Sequence, residues 1–282
     1  MKITLVFLTF TLSLLSQVAF ASVYITYPEK TEAYKKIAEK IKENLQKNNI
    51  KETFILKNEE LKEKKIKEND LTIFLGNQKK ETRKNKNPSI FSFTNSKEEK
   101  EIKNWSIIST NQTAKRLLYT ARKTVKKEYK KNILFVLSEE NKWAIKQLKN
   151  INDIRIIIVK KNEIAAKKIE PELDETAAIV ALYDKTIWSG NSARWILQTA
   201  YNHKVPIIGY SKSFLKAGAV ASVYSSADQI IKEIEKHVLQ WSKTGKLNNN
   251  INYPEYTIEV NNNIAKALNL SSMKIIELGK KQ

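Results

Sequence analysis

The sequence predicts an α/β fold made of two lobes, each built around a parallel sheet. Three observations predict it. Short runs of apolar, β-branched residues alternate with longer amphipathic stretches through most of the chain, the pattern of βα units. Several runs, such as residues 133–137 and 154–159, are apolar at odd and even positions alike, as strands covered on both faces must be. A lysine-rich seam over residues 126–131 divides the units into two series.

The first unit sets the pattern. Residues 23–27 form a strand-like run, Pro28 and Glu29 turn the chain, and Thr31 is placed to cap a helix. Along that helix Tyr34, Ile37, Ala38, Ile41 and Leu45 fall on one face, the side that packs on a sheet. Further strands are expected at 53–56, 71–75 and 89–93, with Gly76-Asn77 as a turn. After a polar stretch over 95–103, residues 105–108 are apolar again. A helix capped at Asn111 then buries Ala114, Leu117, Leu118, Ala121 and Val125.

The second series contributes strands at 133–137, 154–159, 177–182 and 205–208. Ser226 and Gln229 have the spacing of a capping box, opening a helix that shares Ile231, Ile234, Val238 and Trp241 on one face and ends near Gly245. A strand at 256–260 and a short helix at 263–268 close the pattern. Single elements after a finished lobe indicate a chain crossing back between lobes. The expected partition is a leader at 1–21, a first lobe at 22–128 plus 219–250, and a second at 129–218 plus 251–282.

The leader is read from Lys2, the apolar run over 3–15 and the small-residue pattern Ala19-Phe20-Ala21. This is the layout of a secretory signal peptide cleaved after Ala21, and the run is shorter than the roughly 20 residues a spanning helix needs. The expected product is exported, periplasmic and soluble. The 282 residues include no cysteine, so neither a disulfide nor an acylated cysteine anchor is available, and packing has to supply the stability.

The charge is lopsided, with 50 Lys and Arg against 30 Asp and Glu giving +20. Such an excess suits an anionic partner. Lysines are interspersed with glutamates over 57–67 and 97–103, however, and seldom alternate with aromatics. The excess therefore reads as solvated helix faces, and no nucleic acid is expected as a partner. A basic adaptor for an anionic envelope polymer stays open as an alternative.

Signatures of catalysis are missing. There is no Gly-rich phosphate loop, no nucleophile elbow and no paired-histidine metal motif. The two histidines, His203 in a polar turn and His237 on a lysine-flanked helix, read as surface residues. Neither an enzymatic activity nor a cofactor is expected.

The most informative stretch is 181–226. It places Asp184, Thr186, Trp188 and Ser189 just past the carboxyl end of a buried strand, the edge where open parallel sheets bind ligands. Asn191 or Ser192 is placed to cap the next helix. Tyr210, Ser211 and Ser213 emerge past the following strand, and Gly218 permits a backbone turn. Strand ends elsewhere add Tyr27, Asn77, Asn95 and Ser138. The candidate ligand-binding set is thus Tyr27, Asn77, Asn95, Ser138, Asp184, Thr186, Trp188, Tyr210 and Ser211. The bland alternative is that Asp184 and Asn191 cap a helix while Trp188 and Tyr210 pack at the sheet edge.

This segment resembles the ABC transporter substrate-binding protein family of the tryptophan/tyrosine-type uptake systems. Asp184 after a strand, Arg194-Trp195 in a helix, Val205-Pro206 opening a strand and the loop Ala217-Gly218-Ala219-Val220 follow in the family's order. Asn111-Gln112-Thr113-Ala114-Lys115-Arg116 and the strand at 133–137 look like the helix and first strand of the family's second lobe. The strand at 256–260 with Asn261, then Ala265-Lys266-Ala267-Leu268, is similar to its terminal strand and helix.

The likeness covers roughly residues 111–270. It implies a type I periplasmic-binding fold, two Rossmann-like lobes joined by a multi-crossover hinge with a small molecule held between them. Family ligands include aromatic amino acids. For such a ligand Asp184 would accept from the ammonium and Trp188 or Tyr210 would line a side-chain slot. The implied partners are a small-molecule ligand and a membrane permease, and a monomer is expected. A sensory module read by a membrane receptor is the alternative.

Overall fold

The computed structural model describes residues 21–29, 32–77, 87–94, 104–125 and 131–270. The run and small-residue pattern of the expected leader up to residue 20, the Thr31 cap and Asn95 lie outside the described residues. The chain first builds β1 (Val23–Tyr27), α1 (Glu32–Lys47), β2 (Thr53–Lys57), β3 (Leu71–Leu75), β4 (Ser89–Ser92) and β5 (Trp105–Ile108). It then crosses to a second body made of α2 (Ala114–Thr124), β6 (Asn132–Ser138), α3 (Lys142–Leu148), β7 (Ile154–Val159), α4 (Ala165–Ile169), β8 (Thr176–Val180), α5 (Gly190–Asn202), β9 (Ile207–Gly209), α6 (Ser213–Ala217) and β10 (Ala221–Tyr224). It returns to the first body for α7 (Ala227–Thr244) and β11 (Asn250–Asn252), and ends in the second with β12 (Thr257–Val260) and α8 (Asn262–Ala267).

Two six-stranded sheets result, in the orders β11-β5-β4-β3-β1-β2 and β12-β10-β9-β8-β6-β7. Every pairing is parallel except β10 with β12. The apolar runs explain the burial: all five residues of β1 and of β3 are buried, as strands covered on both faces require. In α1 the buried residues are Ala38, Ile41 and Leu45, three and four apart as one packed helix face demands.

Each sheet has a core on either side. In the first lobe Ile25, Ile41, Ile73, Ile234 and Trp241 belong to one core, and Phe74 stacks on Phe91 at 5.0 Å in the other. In the second lobe, one core gathers Ile179, Trp188, Ile196 and Phe214 and the other Leu117, Phe135, Val180 and Ala265. At about 25 cal/mol per Å² of apolar surface removed from water, these layers hold a cysteine-free chain together. Among the described residues no helix is long and apolar enough to cross a membrane.

The helix signals resolve unevenly. The capping box at Ser226 and Gln229 forms, and Gly245 closes α7 in the left-handed region at φ 68°. The cap of α2 is Thr113, whose hydroxyl accepts from the Arg116 N–H, not Asn111. The cap position of α5 is Ser189, not Asn191 or Ser192, and Gly190 follows it at φ 53°.

The expected partition also shifts. The sequence places residues 114–124 in the first lobe, yet α2 buries Ala114, Leu117 and Leu118 against the second sheet. β10 is placed there too, yet it pairs with β9 and β12. The lysine-rich seam misleads because the elements before and after it, α2 and β6, both belong to the second body. Only α7 and β11 return to the first lobe.

Topology fixes how the lobes face. β5 ends at the carboxyl edge of the first sheet, and α2, which leads into β6, begins over the carboxyl edge of the second. β10 ends at the second carboxyl edge and feeds α7, which lies on the first sheet. β11 runs parallel to β5, and β12 runs antiparallel to β10. All three crossovers, residues 109–113, 225–226 and 253–256, therefore join carboxyl edge to carboxyl edge. The second spans three residue steps from Tyr224 to Ala227, no more than about 11 Å, so the strand tips of the two lobes confront one another.

His237 corrects another expectation. It is buried between α7 and β5, with Nε2 3.2 Å from Glu233 and Nδ1 3.4 Å from the Ser106 hydroxyl. It faces the sheet because it lies one turn from Ile234 on the buried side of α7. Burial, outweighing the nearby Glu233, holds its pKa below the usual 6.5. The unfolded chain therefore takes up this proton first, so the contribution of the neutral imidazole is complete above about pH 6.5 and is lost as pH falls below it. In urea unfolding between pH 7 and pH 5, the wild-type midpoint should drop more steeply than that of His237→Gln; equal slopes would contradict this account.

Candidate functional site

The tips of β6 and β8 are tied together by one carboxylate. Asp184 follows β8 and is buried. Its Oδ2 accepts from the Ser138 N–H at 2.7 Å and the Ser138 hydroxyl at 2.8 Å, with Asn141 Nδ2 at 3.4 Å. Its Oδ1 accepts from the Thr186 and Ile187 N–H groups at 3.1 and 3.3 Å. Both oxygens are thus engaged inside the lobe. Asp184, Ser138 and Thr186 lie together in a strap that fixes the loop. A buried carboxylate satisfies itself from the nearest donors, here the backbone of its own turn and the neighbouring strand.

Beside this strap the tips of β8 and β9 carry aromatic rings. Tyr210 meets Tyr183 edge-on at 5.6 Å and Phe214 at 4.9 Å, and Phe214 meets Trp188 at 5.8 Å. Trp188 and Phe214 are buried, whereas Tyr183 and Tyr210 are partly exposed. Burial, reinforced by Tyr183 and Asp184, pushes the Tyr210 phenol up to about 12, so it stays neutral at ordinary pH and keeps its O–H. Trp188 therefore supports the layer from beneath. Its Nε1 has no hydrogen-bond partner among the described residues.

Gly209 makes this stacking possible. A Cβ there would collide with the Phe214 side chain and lie 2.9 Å from Ser222 Oγ, so only glycine lets the ring lie over the strand end. Ser211 is partly exposed, its hydroxyl 2.8 Å from that of Ser213. Thr186 is exposed.

The first lobe offers a second set. Asn77 is exposed past β3 and accepts from the Thr94 hydroxyl at 3.1 Å, joining the tips of β3 and β4. Between these tips Tyr34 and Phe93 meet at 6.0 Å, and the Tyr34 hydroxyl lies 3.4 Å from the Phe93 carbonyl oxygen. Gly76, at φ 76°, leaves space for the ring, since a Cβ there would approach Tyr34 to 2.8 Å. Phe93 was expected in the strand, but β4 stops at Ser92 and Phe93 turns to φ 54°. A bulky side chain in that region costs about 1–2 kcal/mol, and such strain concentrates at functional positions. Tyr27, by contrast, is buried in the first-lobe core because its side of β1 faces α1.

Sequence reasoning missed Tyr34, Phe93 and Tyr183. Tyr34 lies on the apolar face of α1 and packs against the first-lobe core as its spacing predicts, and Tyr183 stands beside the more conspicuous Asp184. The alternation of side chains across a strand end, applied through residue 183, was the available signal. Nothing local announced the left-handed turn at Phe93.

No family model matches the chain, and no curated protein matches it. Solved structures do. The chain is similar to the ligand-free, open structure of a substrate binding protein with adhesive properties from Clostridium difficile, with a TM-score of 0.66 and 14% identity over 89% of this chain and 96% of that one. It is similar to an ABC domain in complex with L-Trp from Streptococcus pneumoniae, with a TM-score of 0.55 and 15% identity over 91% and 98% of the two chains. A periplasmic ribose ABC transporter from Conexibacter woesei gives 0.53 and 12% identity over 90% and 96%. At such identities the likeness is one of fold, and its coverage of both lobes establishes the two-lobed type I periplasmic-binding architecture.

Removing the strap should be costly. Asp184→Ala leaves the buried Ser138 N–H and hydroxyl without an acceptor, and about 3 kcal/mol of unfolding free energy should be lost in urea titration. A loss under 1 kcal/mol would mean that the loop is held by something else.

Proposed function

We propose that this protein is an extracytoplasmic solute-binding protein that closes its two lobes over a small molecule and delivers it to a membrane uptake system. The observation that carries this reading is the facing of two strand-tip surfaces, each bearing a partly exposed aromatic pair. Tyr34 with Phe93 stands on the first lobe, and Tyr183 with Tyr210 on the second. Asn77 adds an exposed amide on one side, and Ser211 and Thr186 add hydroxyls on the other.

Flat apolar rings with a few polar groups around them are the chemistry of a small-molecule site. Closure would be favoured because the solute contacts both tips only when they approach, so it stabilises the closed arrangement by differential binding. The fold supports the reading by analogy, since neighbours of this shape are named as substrate-binding proteins or complexes with L-Trp. The rings favour a solute with a flat or apolar face, such as an aromatic amino acid or a sugar. The candidate leader at the start of the chain fits export, while the binding event itself is not catalytic.

The test is a thermal-shift screen of the chain from Ser22 onward against amino acids, sugars and other small metabolites. A true ligand at about 100 times its Kd should add about 2.7 kcal/mol of stability. Tyr210→Ala and Phe93→Ala should abolish that shift, whereas Tyr119→Ala, on the exposed side of α2, should keep it. The shift for an uncharged solute should persist in 1 M salt, where attraction of an anionic polymer to surface lysines collapses. A ligand whose shift survives both tip variants would sink the assignment of the site.

A further inference from the structure

The three crossovers are bound to one another by a polar network that includes none of the aromatic and hydroxyl residues named above on the strand tips. Gln112, buried in the first crossover, donates from Nε2 to the Ser225 hydroxyl of the second at 3.0 Å. Ser225 in turn donates to the Glu255 carbonyl of the third at 2.8 Å. Arg116, in the first turns of α2, donates to Gln112 Oε1 at 3.0 Å and to the Tyr253 carbonyl at 3.3 Å. Its guanidinium carbon also lies 4.3 Å from the centre of the Tyr256 ring.

The Arg116 contacts are placed where the lobes are coupled. Arg116 belongs to a helix packed in the second lobe, and Tyr253 directly follows β11 of the first. The Arg116–Tyr253 bond therefore runs from the body of one lobe to the exit of the other. Arg116 makes no ion pair among the described residues; carbonyl, amide and ring electrons alone meet its charge. Such contacts depend closely on distance and angle. When lobes rotate, the crossovers absorb the change in backbone angles, so a network spanning all three must strain or re-form.

We infer that Arg116 and Gln112 are positioning residues that set the balance between lobe arrangements, and through it the affinity for the solute, without contacting the solute. The apparent Kd of a closing protein scales inversely with the fraction of molecules in the binding-competent arrangement. Loss of one or two of these hydrogen bonds should shift that fraction by about three- to tenfold. The inference rests on the reading that the lobes close over a solute, but its test needs none.

The chain has no cysteine, so two can be introduced for spin labels. Glu59 and Lys161 are exposed just past β2 and β7, the sheet edges farthest from the crossovers, where a hinge motion has its longest lever. Pulsed electron–electron distance measurements on the ligand-free, doubly labelled chain read the lobe separation directly. Arg116→Lys keeps the charge but loses the two-pronged contact, and with Gln112→Ala it should raise the weight of a second distance population about three- to tenfold.

Ser225→Ala removes the central link with a small side chain and serves if either variant folds poorly by circular dichroism. Arg122→Lys, on the same helix but paired to Asp153 at 2.6 Å, should leave the distribution unchanged. Distance distributions identical to wild type in the folded network variants would overturn the inference, and so would an equal change in Arg122→Lys. If the ligand screen stays silent while the distances move, the solute reading fails and the hinge control stands; the reverse result separates them the other way.

Discussion

The constraint on which the structure depends is that all three chain crossings join carboxyl edge to carboxyl edge. A parallel sheet collects its loops, its helix starts and its least regular backbone at that edge. Joining two such sheets by their edges brings two irregular, adaptable surfaces face to face and leaves the regular cores on the outside. The crossings cluster toward β5 and β11 of one sheet and toward β10 and β12 of the other, so no chain connection joins the opposite edges. Where the lobes are tethered follows from strand order before any side chain is considered.

Side chains then divide between holding the surfaces and presenting something on them. In the second lobe the holding is done by Asp184, whose two oxygens draw β6, the turn after β8 and Asn141 together. Its burial is tolerable because every acceptor direction is filled, and for the same reason it has little to offer a visitor. What remains accessible is aromatic and hydroxylic. In the first lobe the same division holds, with Asn77 and Thr94 bridging two tips and Tyr34 and Phe93 supplying the rings. Two glycines make room for these rings, Gly76 under Tyr34 and Gly209 under Phe214, which links the turn chemistry of the backbone to the shape of the site.

Part of the basic complement is neutralised locally. Many basic side chains sit in exposed ion pairs, such as Lys40 with Asp228, Lys47 with Glu43 and Lys232 with Glu255. Pairs of this kind contribute little individually. They keep the surface wet and the apolar layers inward, while Arg116 is partly buried where the three crossovers meet.

The sequence by itself determined the strands, most helices, their α/β alternation and the two-lobed plan, because hydrophobic period and capping chemistry are local properties. It singled out the stretch 181–226 as the candidate site region. Tertiary structure decided the rest. Whether Asp184 faces a ligand or a backbone depends on Ser138, 46 positions away, and whether His237 is wet or dry depends on β5 lying beneath α7. The membership of α2 and β10 followed from the sheet they pack on, which a lysine-rich run could not reveal. Phe93 joined the site through a left-handed turn that no residue preference favours, and Gln112 and Arg116 gained their role only when three distant segments met. Contacts of that kind are set by how the lobes assemble, and no periodicity along the chain encodes them.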